Sequence, residues 1–330
     1  MPHFRGRRPV EPAGRWDVTL PSGPRHVTGD TRSPHSHAAA TVIGTPNQGD
    51  HVEPYGADDG VHVGAMLFTL VDPNPGHEVA YNRWYERDHL YSGCMVGPWL
   101  FANRRWVATR PLKDLRFPAD VPADHAVAEP VDRGSYLATY FIHAGHEAEH
   151  FAWANRQVFE LYEHGRGFDE RTHAHTCLYF FVGEDHRDPD GVPAHMALDH
   201  PYRGLVSVHV DRAEGVAHPE FAQWFTSVAA PVLFADGADG SPSPVDQVLH
   251  WRPIIPKGEE GNAPMKLGTG PGTRQRSLQM LYLTTEPAEA WDRIQDYAAR
   301  VDESGLATVR LAAPFIPTIP GTDTYTDQLW

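Results

Sequence analysis

At 330 residues, 41% hydrophobic and 22% charged, the chain has the make-up of a globular protein with room for one large core or two ordinary domains. A formal net charge of −15 argues against nucleic-acid binding, which needs a basic surface, and against docking on anionic lipid. The sequence shows no apolar run long enough to span a membrane and no secretory signal at its N-terminus, and its two cysteines, Cys94 and Cys177, lack CxxC spacing, so a cytoplasmic location is expected.

Residues 1–60 show no sustained apolar period and are rich in Pro, Gly, Ser, Thr and His. They are expected to form an arm that is poorly ordered or wraps the body. From Val61 the pattern changes. GAMLFTLVD predicts a strand, stopped by Asp72-Pro73-Asn74-Pro75. HEVAYNRWYERDHLY predicts a helix, broken at Gly97-Pro98. WLFANRRWVATR and SYLATYFIH predict the next two strands, separated by a Pro- and Asp-rich connection at 111–133. EAEHFAWANRQVFELYEHG predicts a second helix and THAHTCLYFFVG a fourth strand. The order β-α-β-β-α-β is that of a ferredoxin-like unit.

The same order returns in residues 204–316. The two passes align at Val71-Asp72 with Val210-Asp211, at Trp84 with Trp224, at Trp106 with Trp251, and at Ser135 and Tyr140 with Ser277 and Tyr282. Matches in order and in the same element point to internal duplication. The expected architecture is therefore α+β. Residues 61–190 form a first, site-bearing repeat and residues 200–330 a second, structural one. Each antiparallel sheet must bury the face its helices leave open. Two copies in one chain do so by packing as an intrachain α/β barrel, leaving pocket space where a helix stands off its own sheet.

The first predicted helix reads Tyr81-Asn82-Arg83-Trp84-Tyr85-Glu86-Arg87-Asp88-His89. This run resembles the F-N-x-W-Y-x-x-x-H helix of the dimeric α/β-barrel superfamily, in particular its EthD-like branch. The resemblance covers residues 64–185 by motif and 204–316 by element order. The usual Pro after the histidine is replaced here by Leu90. Membership implies a small, often aromatic ligand. The superfamily holds cofactor-free cyclases, decarboxylases, isomerases and monooxygenases as well as haem proteins. A homodimer is kept as a candidate assembly.

Comparison of the repeats selects the candidate site. Asn82, Arg83, Glu86, Asp88 and His89 face Ala222, Gln223, Thr226, Val228 and Ala229 in the second helix. The packing aromatics persist and the ionisable groups do not. His89 is the candidate general acid or base, because an ordinary imidazole titrates near neutral pH. Tyr85, four residues earlier on the same helical face, and Asn82 are candidates to hold a developing oxyanion. His143 and His175 are candidates for a second acid or base. Trp84, Trp106, Tyr140 and Tyr179 form a candidate aromatic wall for a substrate, with plain core as the competing reading.

Strand alternation places His173, His175 and Cys177 on one face, but no zinc-type spacing accompanies them, so no metal is assigned. His146 and His150 are read as a solvated helical face. His209 and His250 are the candidate axial ligands if haem binds. No GxGxxG after a strand, no GxxxxGK[ST] and no GxSxG occurs, and GTGPGT (268–273) reads as a loop. The resulting expectation is a cofactor-independent enzyme of proton-transfer type acting on a small aromatic or polyketide-like molecule. The alternatives are a haem-dependent enzyme, a cofactor-free monooxygenase, or a non-catalytic small-molecule binding protein.

Overall fold

The computed structural model describes residues 60–255 and 271–330. The N-terminal arm, up to residue 59, and the start of the GTGPGT run lie outside the described residues. The elements run β1 (Val63–Pro73), α1 (Glu78–Trp84), β2 (Leu100–Val107), α2 (Arg110–Asp114), β3 (Tyr136–His143), α3 (Glu147–Glu163) and β4 (Arg171–His186). They continue as β5 (Gly204–Arg212), α4 (His218–Trp224), α5 (Ala230–Leu233), β6 (Val245–Pro253), β7 (Arg276–Leu283), α6 (Trp291–Glu303) and β8 (Ala307–Pro317). Among the described residues no helix is long and apolar enough to cross a membrane.

All eight strands close into one antiparallel barrel in the order β1-β3-β2-β8-β5-β7-β6-β4. Each ferredoxin-like unit supplies four neighbouring strands, and the units are joined at two seams. At one seam β4 pairs with β6 from Tyr179↔Pro253 to His186↔Gln247. At the other, β8 pairs with β2 only at Trp106↔Pro317 and Val107↔Ile316. The chain then leaves the sheet and folds over α1. Closure removes the sheet edges that an open arrangement would leave unpaired.

The repeat extends to irregularities. Each helix after the first strand of a unit loosens into π-helical winding directly after a tryptophan. The π segment runs Tyr85–Met95 after Trp84 and Phe225–Ala229 after Trp224. A register shift lies between Leu70 and Val71 against β4, and its counterpart between His209 and Val210 against β8. The register also corrects the alignment of the third strands. Trp106 pairs with Leu137 and Trp251 with Leu278, so Leu137 matches Leu278 and Phe141 matches Tyr282. Aligning Tyr140 with Tyr282 is one residue off. In a strand one residue is the difference between faces: Tyr140 points to the helices and Tyr282 into the barrel.

The barrel interior is a solid apolar core. Met66, Phe68, Trp106, Phe141, Tyr179, Met280, Tyr282 and Phe315 are all fully buried there. Filling by side chains is usual for eight strands. Trp106 and Tyr179 therefore belong to the core and do not line a helix-side pocket.

Candidate functional site

The residues singled out from the sequence fall into three places. His89, Tyr85, Trp84 and Tyr140 meet between the π segment and the outer face of β1 and β3. His175, Tyr179 and Trp106 lie inside the barrel. His143 stands at the end of β3, bonded to the carbonyl of Ala144 at 3.0 Å and flanked by Trp99 and His146.

The first group forms a tight aromatic cage in which Tyr85 and Tyr140 are buried and Trp84 and His89 half-buried. His89 stacks on Trp84 with ring centroids 4.5 Å apart and planes 16° apart. It meets Tyr85 edge-on at 5.2 Å. The Tyr85 and Tyr140 hydroxyls are hydrogen-bonded to each other. The space enclosed by these rings with Thr69, Cys94 and His173 is about 30 Å³, enough for roughly one or two waters. Burial pushes the His89 imidazole down to about 3, and the nearby Arg171 cation adds to this. The lowered pKa favours the neutral imidazole near pH 7, and the ring lies between Trp84 and Tyr85.

Asn82 is committed elsewhere. Its Nδ2 donates to the Thr322 carbonyl at 2.8 Å, and its Oδ1 accepts from Arg105 Nη1 at 2.8 Å. Arg105 also donates to Glu86 at 2.9 Å and lies over the Tyr85 ring at 4.5 Å. The segment after β8 closes this groove: Gly321 N–H donates to Glu86 at 2.9 Å, and Arg83 pairs with Asp323.

A β-bulge changes the reading of the histidine strand. Leu70 pairs with His175, but Val71 pairs with His173, with Ala174 looped out. His173 therefore turns to the helix side while His175 and Cys177 enter the barrel. There His175 Nε2 meets the Tyr179 hydroxyl at 2.9 Å. Arg171 Nε donates to His173 Nε2 at 3.1 Å, so the ring proton sits on Nδ1, which donates to Thr176 Oγ1 at 2.7 Å. Thr176 and Thr69 share a hydrogen bond of 2.9 Å. Burial, aided by Arg171, pushes His173 down to about 4. His173 also borders a second cleft of about 290 Å³ at the barrel end, with Glu129 and Arg133. The Arg171–His173 contact has a signal in the Arg-x-His spacing of one strand face, whereas the tie of His173 to Thr176 depends on the bulge. Arg105 left no such mark.

Four histidines bear on haem binding. His209 has no hydrogen-bond partner on either ring nitrogen, yet Phe68 and His175 pack around it at 5.4 and 5.5 Å inside the barrel. It has no open side for a macrocycle. His250 gives its Nε2–H to Asp185 at 2.8 Å and meets Phe225 at 4.4 Å. His89 lies between Trp84 and Tyr85 in the tight cage. His150 differs: contrary to the solvated-face reading it is buried, and its Nδ1–H donates to the Pro98 carbonyl at 2.7 Å. That tautomer leaves Nε2 with its lone pair, the donor chemistry of an axial imidazole. Burial lowers its pKa below the ordinary value, against the Pro98 bond. Among the described residues no cluster of three or more His, Cys, Asp and Glu is placed to hold a metal ion.

Above the outer face of β4, α3 is incompletely packed. Phe151 and Leu161 are buried, but no residue from Ala152 to Glu160 is. Trp153, Ala154, Val158 and Phe159 stay half-buried, as do Leu178 and Phe180 on the strand. The matched helix α6 buries Trp291, Ile294, Tyr297, Ala298 and Val301 at a regular helical period. Arg252 lies over the Phe180 ring at 4.7 Å and forms no ion pair among the described residues.

No family model and no curated protein matches the chain. The EthD-like branch therefore rests on the helix motif alone. Solved structures do match. The haem complex of DypB from Rhodococcus jostii RHA1 has 11% identity, covers 81% of this chain and 95% of its own, and has a TM-score of 0.45. A dye-decolorizing protein from V. cholerae has 11% identity, 81% and 97% coverage, and a TM-score of 0.41. An anthrone oxidase-like protein has 7% identity, 79% and 95% coverage, and a TM-score of 0.45. None of the three is named as an isomerase, cyclase, dehydratase or decarboxylase. The cofactor-independent proton-transfer reading is corrected by the geometry: the space around His89 is about 30 Å³ and has no room for an aromatic substrate. The architecture is shown by the strand order itself: this chain is an α+β barrel of ferredoxin-like units.

Proposed function

We propose that the chain is a small-molecule-binding barrel whose first repeat takes a flat, apolar carboxylic acid between α3 and the sheet. The observation that carries this is the stretch Ala152–Glu160, more than two helical turns with no buried residue. A helix seated on a sheet buries an apolar stripe, as α6 does. Here Ala154 and Val158, one turn apart, and Phe159 are left half-covered, as are Leu178 and Phe180 on β4, while the Trp153 ring lies against Gly97 and beside His150. Such a surface is stabilised by an apolar partner. Arg252 at Phe180, with no ion pair among the described residues, supplies the cation for a carboxylate.

Haem is a second reading, and it is favoured by His150. Haem is flat, apolar and carries two carboxylates, and His150 on the same helix has the tautomer an axial ligand needs. His150 Nε2 would hold the iron and Arg252 a propionate; the bound group would supply one-electron chemistry. Supplying haem to the purified chain separates the readings. A Soret shift that is lost in His150→Ala supports haem. Saturable binding of an aromatic acid without a Soret shift supports the acid-binding reading alone. Neither result, with the fold intact, removes both.

A further inference from the structure

We infer that the second repeat carries a separate binding site for an organic amine, in the groove between α4 with its π turn and the β4–β6 seam. The groove has a volume of about 410 Å³ and is lined by Val182, Asp185, Ala222, Gln223, Thr226 and His250. It is distinct from the α3 slot and does not rest on that reading.

The first repeat shows what this place in the fold holds. There Arg105, next to Trp106, occupies the position that His250, next to Trp251, occupies in the second repeat. The Arg105 guanidinium lies over Tyr85 at 4.5 Å and pairs with Glu86 at 2.9 Å. The segment Gly321–Asp323 then seals the groove. So the first groove contains an aromatic ring, a carboxylate and an internal cation.

In the second repeat β4 stays in the sheet to His186, and among the described residues no segment folds over the groove. The aromatic ring remains as Phe225, and the carboxylate is now Asp185, supplied from β4. Asp185 Oδ2 accepts from His250 Nε2 at 2.8 Å and from Thr226 Oγ1 at 3.3 Å, while Oδ1 accepts no hydrogen bond from the described residues. Burial works to raise the Asp185 pKa, but the bond from His250, the electrostatic pull of the same imidazole and the bond from Thr226 outweigh it, and the carboxyl is held below its usual range. The group is therefore an anion facing a largely apolar groove, with neither Lys nor Arg among the lining residues. A protonated amine with an apolar body supplies a permanent cation and fills the space. A carboxylic acid is repelled, and a neutral isostere lacks the charge.

Calorimetric titration of the full chain with benzylamine, benzyl alcohol and benzoate tests this. Benzylamine is expected to bind saturably at one site, at least tenfold tighter than benzyl alcohol, with no benzoate bound in this groove. Asp185→Asn should abolish that preference. Thr226→Lys keeps Asp185 but supplies an internal cation, so it should block benzylamine and raise the melting temperature. Absence of saturable benzylamine binding, equal binding of the alcohol, or unchanged binding in both variants would overturn the inference. If Asp185→Asn fails to fold, Thr226→Lys decides alone.

Discussion

His89 lies face to face on Trp84, five residues before it, at 4.5 Å between centroids. In an α-helix the residues above one another are three and four apart. Spacing of five is that of π winding, which begins at Tyr85. The widened turn turns a motif that reads as a catalytic face into a stacked aromatic unit. Its counterpart pairs Trp224 with Ala229, where the small side chain lets the second helix pack closely.

His89→Ala removes one ring from this stack. The expected outcome is a destabilisation of about 1–3 kcal/mol, the usual scale for losing a buried aromatic contact and leaving a void. Chemical denaturation at pH 7 measures it. No loss of stability would show that the stack is incidental.

Acid should unfold this protein through its histidines. His89 and His175 are pushed from 6.5 to about 3, and His173 to about 4, by burial first. Between those values and 6.5 the unfolded chain binds protons that the folded chain does not. Their contribution is therefore present above about pH 6.5 and lost as pH falls toward 3. The melting temperature is expected to drop steadily from pH 7 to pH 4, with a shallower slope in His175→Gln. A flat profile over that range would contradict the burial of these rings.

Much of the fold is legible in the chain because alternation and turn residues report it locally. The strand of Met66, Phe68 and Leu70, stopped at Pro73, reads directly, as does the return of the same order after residue 204. What is not legible depends on one-residue slips. The looped-out Ala174 separates His173 from His175, and the π winding moves His89 from Tyr85 onto Trp84. Neither leaves a mark in apolar periodicity. The Arg105–Glu86 pair is equally silent, because its partners are brought together only by barrel closure and by the segment after β8.

Arg105→Met leaves Glu86 buried without its cation. Removing one partner of a buried pair costs roughly 3–5 kcal/mol. Urea denaturation is expected to show that loss in Arg105→Met and to recover most of it in the double variant with Glu86→Gln. A single variant as stable as the parent would mean that the pair contributes nothing.

The segment after β8 should act as a structural clasp. Its Leu329 is fully buried, and the Leu329 carbonyl accepts from buried Lys113 Nζ at 2.9 Å. Truncation after Ile319 is expected to lower the melting temperature by about 5 °C, the shift of roughly 3 kcal/mol in a chain of this size. An unchanged melting curve would show that the groove over Arg105 needs no cover.

The ligand slot under α3 is tested most directly by filling it. Calorimetric titration with 2-naphthoic acid is expected to show one saturable site per chain. Ala154→Trp, on the half-buried face of α3, should abolish that site while leaving the melting temperature equal or higher, because the added ring covers Leu178 and Phe180. Arg252→Gln should weaken binding about tenfold, the loss of one charge-assisted contact. Parent-like naphthoate binding in a folded Ala154→Trp protein would contradict the placement of the site between α3 and the sheet.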